Sequence, residues 1–204
     1  MSVKTIFGPL ILVILAAVIV SAQGSRSTAV RQIDKYVRSV DRIVENKRNR
    51  KYVVADTAGE NDERAKWKLF PSEKALEKYR EDNETYTIAL SWKSGGRTVA
   101  SYLTLFSESG DWAHYVYLYF RPDGSLAYAE SELRTFYGDY IAIHEYYYDN
   151  GGRRLRKRSK YLDLTTQKPK EPTAEMQRDS LDMVDGVIYK KVARLPFVHL
   201  LGGK

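Results

Sequence analysis

Apolar residues follow different rhythms along this chain: first an unbroken run, then a helical stripe, then alternation at a period of two. The run extends from Ile6 to Val20, interrupted only by Gly8 and Pro9, with Lys4 ahead of it and Val20-Ser21-Ala22 behind. A basic residue, an apolar stretch and small residues at a cutting position form the layout of an export signal. Residues 1–22 therefore predict a signal peptide cleaved after Ala22. The stretch from Thr5 to Ala22 also approaches the roughly 20 apolar residues of a membrane span, so an anchor over residues 5–22 is the alternative. Arg26, Arg31, Lys35 and Arg38 follow the run, and in a retained anchor they would draw the domain to the cytoplasmic side.

The stripe comes next. Val30, Ile33, Val37, Val40 and Val44 recur at helical spacing, with Tyr36 and Ile43 widening the apolar face. They predict an amphipathic helix from Ser27 to about Asn46, within a segment spanning residues 23–54. Lys47, Arg48, Arg50 and Lys51 lie at its C-terminal end, where the helix dipole favours cations. Residues 55–66 are polar and aperiodic, which predicts a flexible connector. A short helix should follow, capped by Ser72 and opened by Glu73, Lys74, Ala75 and Leu76.

Alternation then takes over, and the strands it predicts are Thr85–Trp92, Arg97–Phe106, Trp112–Arg121, Ser125–Phe136, Tyr140–Tyr148 and Arg153–Leu164. Between them lie glycine, asparagine, aspartate and proline, the residues of tight turns. Loops this short pair successive strands antiparallel. The expected fold is α+β: the amphipathic helix and the short helix packed on a curved meander of six to seven antiparallel strands. Residues 67–204 form the β-rich domain, continuous with the helix as one fold. Within it Gln167–Pro172 reads as a linker, Val187–Val192 as an added edge strand, and Leu195–Leu201 as an apolar tail that docks on the domain. The strand from Trp112 has no polar face, which predicts a central position with Trp112, Val116, Leu118 and Phe120 in the core.

Composition narrows the chemistry. The chain has no cysteine, which excludes thiolate catalysis and disulfides, and its 3 histidines are His114, His144 and His199. Nucleotide-binding and hydrolase signatures are absent, and no cofactor or metal is expected. Asp111 with His114, or His114 with His144, would form a metal site only in a favourable strand register. Glu130 and Glu132, two apart on a strand, share a face and read first as solvated charges.

The formal charge is +7, and its densest contribution is Arg153, Arg154, Arg156, Lys157, Arg158 and Lys160. Strand alternation would align Arg154, Arg156, Arg158 and Lys160 in one row, a candidate site for an anionic polymer or lipid headgroup. The row would otherwise pair with Glu130, Glu132 or Glu145 across the sheet, or protect an edge. Nucleic acid is not expected as a partner, because export would separate the two. These features point to an exported, periplasmic or secreted, non-enzymatic binding or envelope-associated module with a small apolar ligand or envelope partner. The alternatives are a hydrolase built on His114, His144 and carboxylates, and a basic adaptor for anionic surfaces.

Overall fold

The computed structural model describes residues 9–58, 62 and 64–202, with residues 9–25 described as backbone only. One helix, α1, runs from Pro9 to Glu45. Its amphipathic part is the expected one, and its N-terminal part continues the same helix back into the apolar run. The side chains of the leader lie outside the described residues. Among the described residues no helix is long and apolar enough to cross a membrane.

An open sheet of eight strands follows, one or two more than the six to seven expected, in the order β2-β1-β3-β4-β5-β6-β7-β8. Every pairing is antiparallel. The strands are β1 (Lys51–Asp56), β2 (Trp67–Phe70), β3 (Thr87–Ser94), β4 (Arg97–Phe106), β5 (Trp112–Phe120), β6 (Leu126–Thr135), β7 (Tyr140–Tyr148) and β8 (Arg154–Asp163). Between β2 and β3 lies α2 (Glu73–Arg80), capped by Ser72, whose hydroxyl accepts the Ala75 N–H at 3.1 Å. After β8 comes α3 (Ala174–Asp185), then single helical turns at Val192–Arg194 and Val198–Leu201.

The sequence pattern did not reveal β1, β2 and α3. β1 begins inside the basic cluster that reads as a helix end, and it pairs with both β2 and β3. Of the connector expected over residues 55–66, Ala55 and Asp56 belong instead to β1, and residues 59–61 and 63 lie outside the described residues; Asp56 accepts the N–H groups of Ala58 and Lys66 at 3.0 and 2.7 Å. Instead of the edge strand expected over Val187–Val192, the chain makes a single antiparallel bridge from Lys191 to Ser125 and then turns into a helix.

Strand pairing fixes two faces, and both are covered. On one face, aromatic side chains form a ladder across β3 to β7: Trp92, Tyr102, Tyr119, Tyr128 and Tyr147, with centroids 4.8, 5.9, 5.5 and 5.0 Å apart. Against this ladder α1 packs Val30, Ile33 and Val40, while α2 covers β1 and β2 through Leu76. On the other face Val116, Leu118 and Phe120 of β5 meet Val184 of α3 and the docked tail residues Leu195, Phe197 and Leu201. Trp112 is half-buried, whereas Val116, Leu118 and Phe120 have no exposure at all. The aromatic surface is thus the seat of α1.

Candidate functional site

Helix α3 forms one side of an apolar recess. Its buried residues Met176, Ser180 and Val184 recur every four positions, a stripe whose central serine interrupts the apolar signal. Thr173 caps the helix by accepting the Met176 N–H at 3.2 Å. Between α3 and the ends of β5, β6 and β7 opens a cleft of about 480 Å³, lined by Trp112, Leu133, Tyr140, Met176 and Met183 with Lys170 at its rim. The β6–β7 turn beside it exposes Phe136 and Tyr137 at 72% and 96%, the two most exposed large apolar side chains described. Such exposure is costly in water unless something covers it.

Local chemistry fixes that rim. Gly138 leaves room for Tyr140, because a Cβ there would stand 2.3 Å from the tyrosine ring. Asp139 takes a left-handed conformation with φ 50°, and Lys170 crosses to its carboxylate at 3.4 Å and to Asp163 at 3.9 Å. Sequence reasoning missed this site. Its legible signal was a pair of aromatics, Phe136-Tyr137, sitting in a turn rather than on an alternating strand.

Behind the cleft, on the same face, lie the two histidines of the hydrolase alternative. Both are fully buried. His114 shares a hydrogen bond between Nε2 and Ser131 Oγ at 2.7 Å, and its Nδ1 has no partner among the described residues. His144 bonds Ser159 through Nδ1 at 2.9 Å and Ser180 of α3 through Nε2 at 3.0 Å. Tyr161 adds a 3.2 Å contact to Ser180. Burial pushes both imidazoles down to about 4, and Lys157 adds to the effect at His144. The rings are neutral and line none of the clefts described; His144 ties α3 to the sheet through Ser180, while His114 joins β5 to β6 through Ser131. Among the described residues no group of three or more histidine, aspartate or glutamate side chains is arranged for a metal ion.

The opposite face holds the carboxylates. Glu130 and Glu132 do share it, joined by Glu145 of β7, which lies opposite Glu130. Tyr128 places its hydroxyl 2.9 Å from Glu130 and 3.0 Å from Glu145. A phenol has one proton, so both contacts are hydrogen bonds only when one carboxyl is itself protonated. Burial, and then the Glu145 and Glu132 charges, raise Glu130 above the usual carboxylate range, while the bond from Tyr128 lowers it. Glu132 instead pairs with Arg134 at 2.6 Å.

The basic ridge is where the sequence reading needs correcting. A bulge sets Tyr148 opposite Arg154 and Tyr147 opposite Arg156, leaving Leu155 as the extra residue. Alternation resets there. Arg154 falls on the α3 face, where it and Lys157 stand 6.0 and 5.9 Å from the Tyr146 ring. Arg156, Arg158 and Lys160 stay on the α1 face. The four predicted residues are thus not one row: they project from both sides of β8, the outer strand of the sheet. The only acidic partner that the ridge finds on the α1 face among the described residues is Glu145, 3.7 Å from Arg158.

No protein-family model, curated protein sequence or solved structure matches the chain. Its functional reading rests on this geometry.

Proposed function

We propose that the chain is a non-enzymatic, membrane-associated binding module that takes a small apolar ligand, or the apolar end of an envelope partner, in the cleft under α3. The observation that carries the reading is the exposure of Phe136 and Tyr137 beside a recess floored by Trp112, Leu133 and Tyr140. Apolar recesses with a few polar groups at the mouth are the usual form of small-molecule sites. Met176 and Met183 suit such a site, because unbranched thioethers adapt to irregular ligands. Attachment runs through residues 5–22, the anchor alternative of the leader. In support, α1 passes unbroken through Val20-Ser21-Ala22, and a peptidase takes its scissile segment in extended form. The hydrolase reading draws no support from His114 and His144, whose rings are sealed from solvent.

The chain contains 3 methionines, so methyl-labelled methionine gives three NMR signals, from Met1, Met176 and Met183. Titration of the full-length protein with naphthol should shift the Met176 and Met183 methyls and leave Met1 in place. Met183→Trp, at a half-buried position, should fill the recess and abolish the shift at Met176. A titration in which neither cleft methyl moves defeats the proposal.

A further inference from the structure

The course of α1 gives the basic edge a partner. Asp41 accepts the Tyr119 hydroxyl of β5 at 2.8 Å, and Asp34 is hydrogen-bonded to Tyr147 of β7. Those aspartates are seven residues apart, a rise of roughly 10.5 Å. From β5 to β7 is two strand spacings, roughly 9.6 Å. The helix axis therefore crosses the strands nearly at right angles. Three residues further back it reaches β8, where Ala29 and Ile33 line one cleft with Leu155. From there α1 continues to Pro9, past the open edge of the sheet. That overhang is roughly 30 Å long, of which its apolar part, from Pro9 to Ala22, makes up roughly 20 Å.

The edge it passes is β8. Arg154, Arg156, Lys157, Arg158 and Lys160 are all exposed on it, with side chains leaving both faces. From Ala22, where the apolar run ends, to Val30 is a rise of roughly 12 Å. The headgroup layer fills roughly 5 to 7 Å of that gap, and long cationic side chains extend toward it. Burial, and then the neighbouring Arg154 charge, lower the Lys157 pKa, against which Asp185 acts in the other direction. Arg26 and Arg31, exposed on α1, add charge on the same side.

We propose that β8 is a lipid-facing edge: α1 leaves the membrane beside it, and its cations from both sheet faces rest on the anionic headgroups of that leaflet. The basic residues after the apolar run favour the cytoplasmic leaflet, whose lipids carry the negative surface potential that attracts juxtamembrane cations. The edge does not involve the α3 cleft, so it survives failure of the ligand reading, but it rests on the same attachment through residues 5–22 and falls with it.

Because the chain has no cysteine, a fluorophore can be placed at single positions. Asn150→Cys and Thr165→Cys bracket β8, and Leu69→Cys marks the opposite edge, on β2. All three positions are exposed. The full-length protein is reconstituted into vesicles of phosphatidylcholine, with or without phosphatidylglycerol, that carry a headgroup quencher. With phosphatidylglycerol, quenching at Asn150→Cys and Thr165→Cys should exceed that at Leu69→Cys several-fold. The excess should disappear at high salt, in phosphatidylcholine alone, and when Arg154, Arg156, Lys157 and Lys160 are replaced by serine in a background whose melting temperature is unchanged. Equal quenching at all three positions overturns the proposal. So does an intact mass lacking residues 1–22, or retention on heparin without quenching by phosphatidylglycerol vesicles, which would assign the edge to a polyanion instead.

Discussion

The two faces of this sheet bury polar groups in opposite ways. Under α1 the polar atoms are phenol hydroxyls at the tips of an aromatic ladder, and the helix supplies their acceptors: Asp41 for Tyr119 and Asp34 for Tyr147. Tyr36 of α1 returns a bond to the Phe120 carbonyl. Under α3 the polar atoms lie within an apolar core, as His114 and His144 bonded to serines. Burial acts on both sets with opposite consequences. Disfavouring charge raises the phenols, Tyr102 and Tyr147 to about 12, and keeps them as neutral donors at any physiological pH. The same effect lowers the imidazoles to about 4, within reach of mild acid. The phenols are therefore indifferent to pH in the physiological range, whereas the imidazoles are sensitive to acid.

Removing core volume should give the largest effect. Phe120 has no exposure and lies among Leu118, Leu126 and the docked tail. Phe120→Ala is expected to cost about 3 to 5 kcal/mol, read as a lower urea midpoint at constant slope. An unchanged midpoint would mean that the α3 face is not the core described.

Acid should give the next largest. Below about pH 6.5 the unfolded chain protonates its histidines, whereas the folded rings resist until about pH 4. The unfolded state thus binds more protons between those values, so stability falls as pH drops through the window and levels off below it. For His114 alone the fall is at most about 3 kcal/mol, at 1.36 kcal/mol per pKa unit. Glu130, whose carboxyl is raised, works the other way: its folded form takes up a proton more readily and gains stability in acid. Comparing melting temperature against pH for the wild type and His114→Asn isolates the imidazole contribution. A slope unchanged by that substitution would remove His114 from the explanation.

Legibility followed the same physics. Strands β3 to β8 could be read because β-branched and aromatic residues recur along most of them and each break carries turn residues. The central place of β5 could be read from its lack of a polar face, and Ser72 was recognisable as a cap. β1 was hidden, being short and fused to a basic helix end, and α3 because Ser180 occupies the middle of its buried stripe. The bulge at Leu155 left no local signal, since arginine and lysine surround it on both sides. The α3 cleft was hidden for a related reason: it is formed only when α3 folds back over strand ends distant in sequence.

On the α1 face the expected effect is smaller. Tyr119→Phe keeps the ring in the ladder but takes the hydroxyl from Asp41 and from Tyr102, which it contacts at 2.8 and 2.9 Å. The loss should be about 1 to 2 kcal/mol, the scale of a hydrogen bond to a charged acceptor. Double-mutant analysis with Asp41→Ala should show coupling, since removing one partner already forfeits the bond. Strict additivity would mean that the hydroxyl and the carboxylate act independently.

The smallest effect belongs where the faces meet, at the β8 edge. Arg156 and Lys160 are exposed and have no ion-pair partner among the described residues. The Arg158–Glu145 contact, at 3.7 Å with half the arginine side chain exposed, is a weak one. If these cations served the fold, their removal would unpair carboxylates and lower the melting temperature. Without such partners, replacing Arg156 and Lys160 by serine should leave stability within about 0.5 kcal/mol, the range of ordinary surface substitutions. Arg158→Ser should cost slightly more, up to about 1 kcal/mol, and that increment should disappear in high salt. A thermal melt of the double variant in low-salt buffer decides it. A drop as large as that of Tyr119→Phe would return these charges to a structural role within the sheet. An unchanged melt leaves Arg156 and Lys160 as exposed cations beside the exit of α1 that the fold itself does not require.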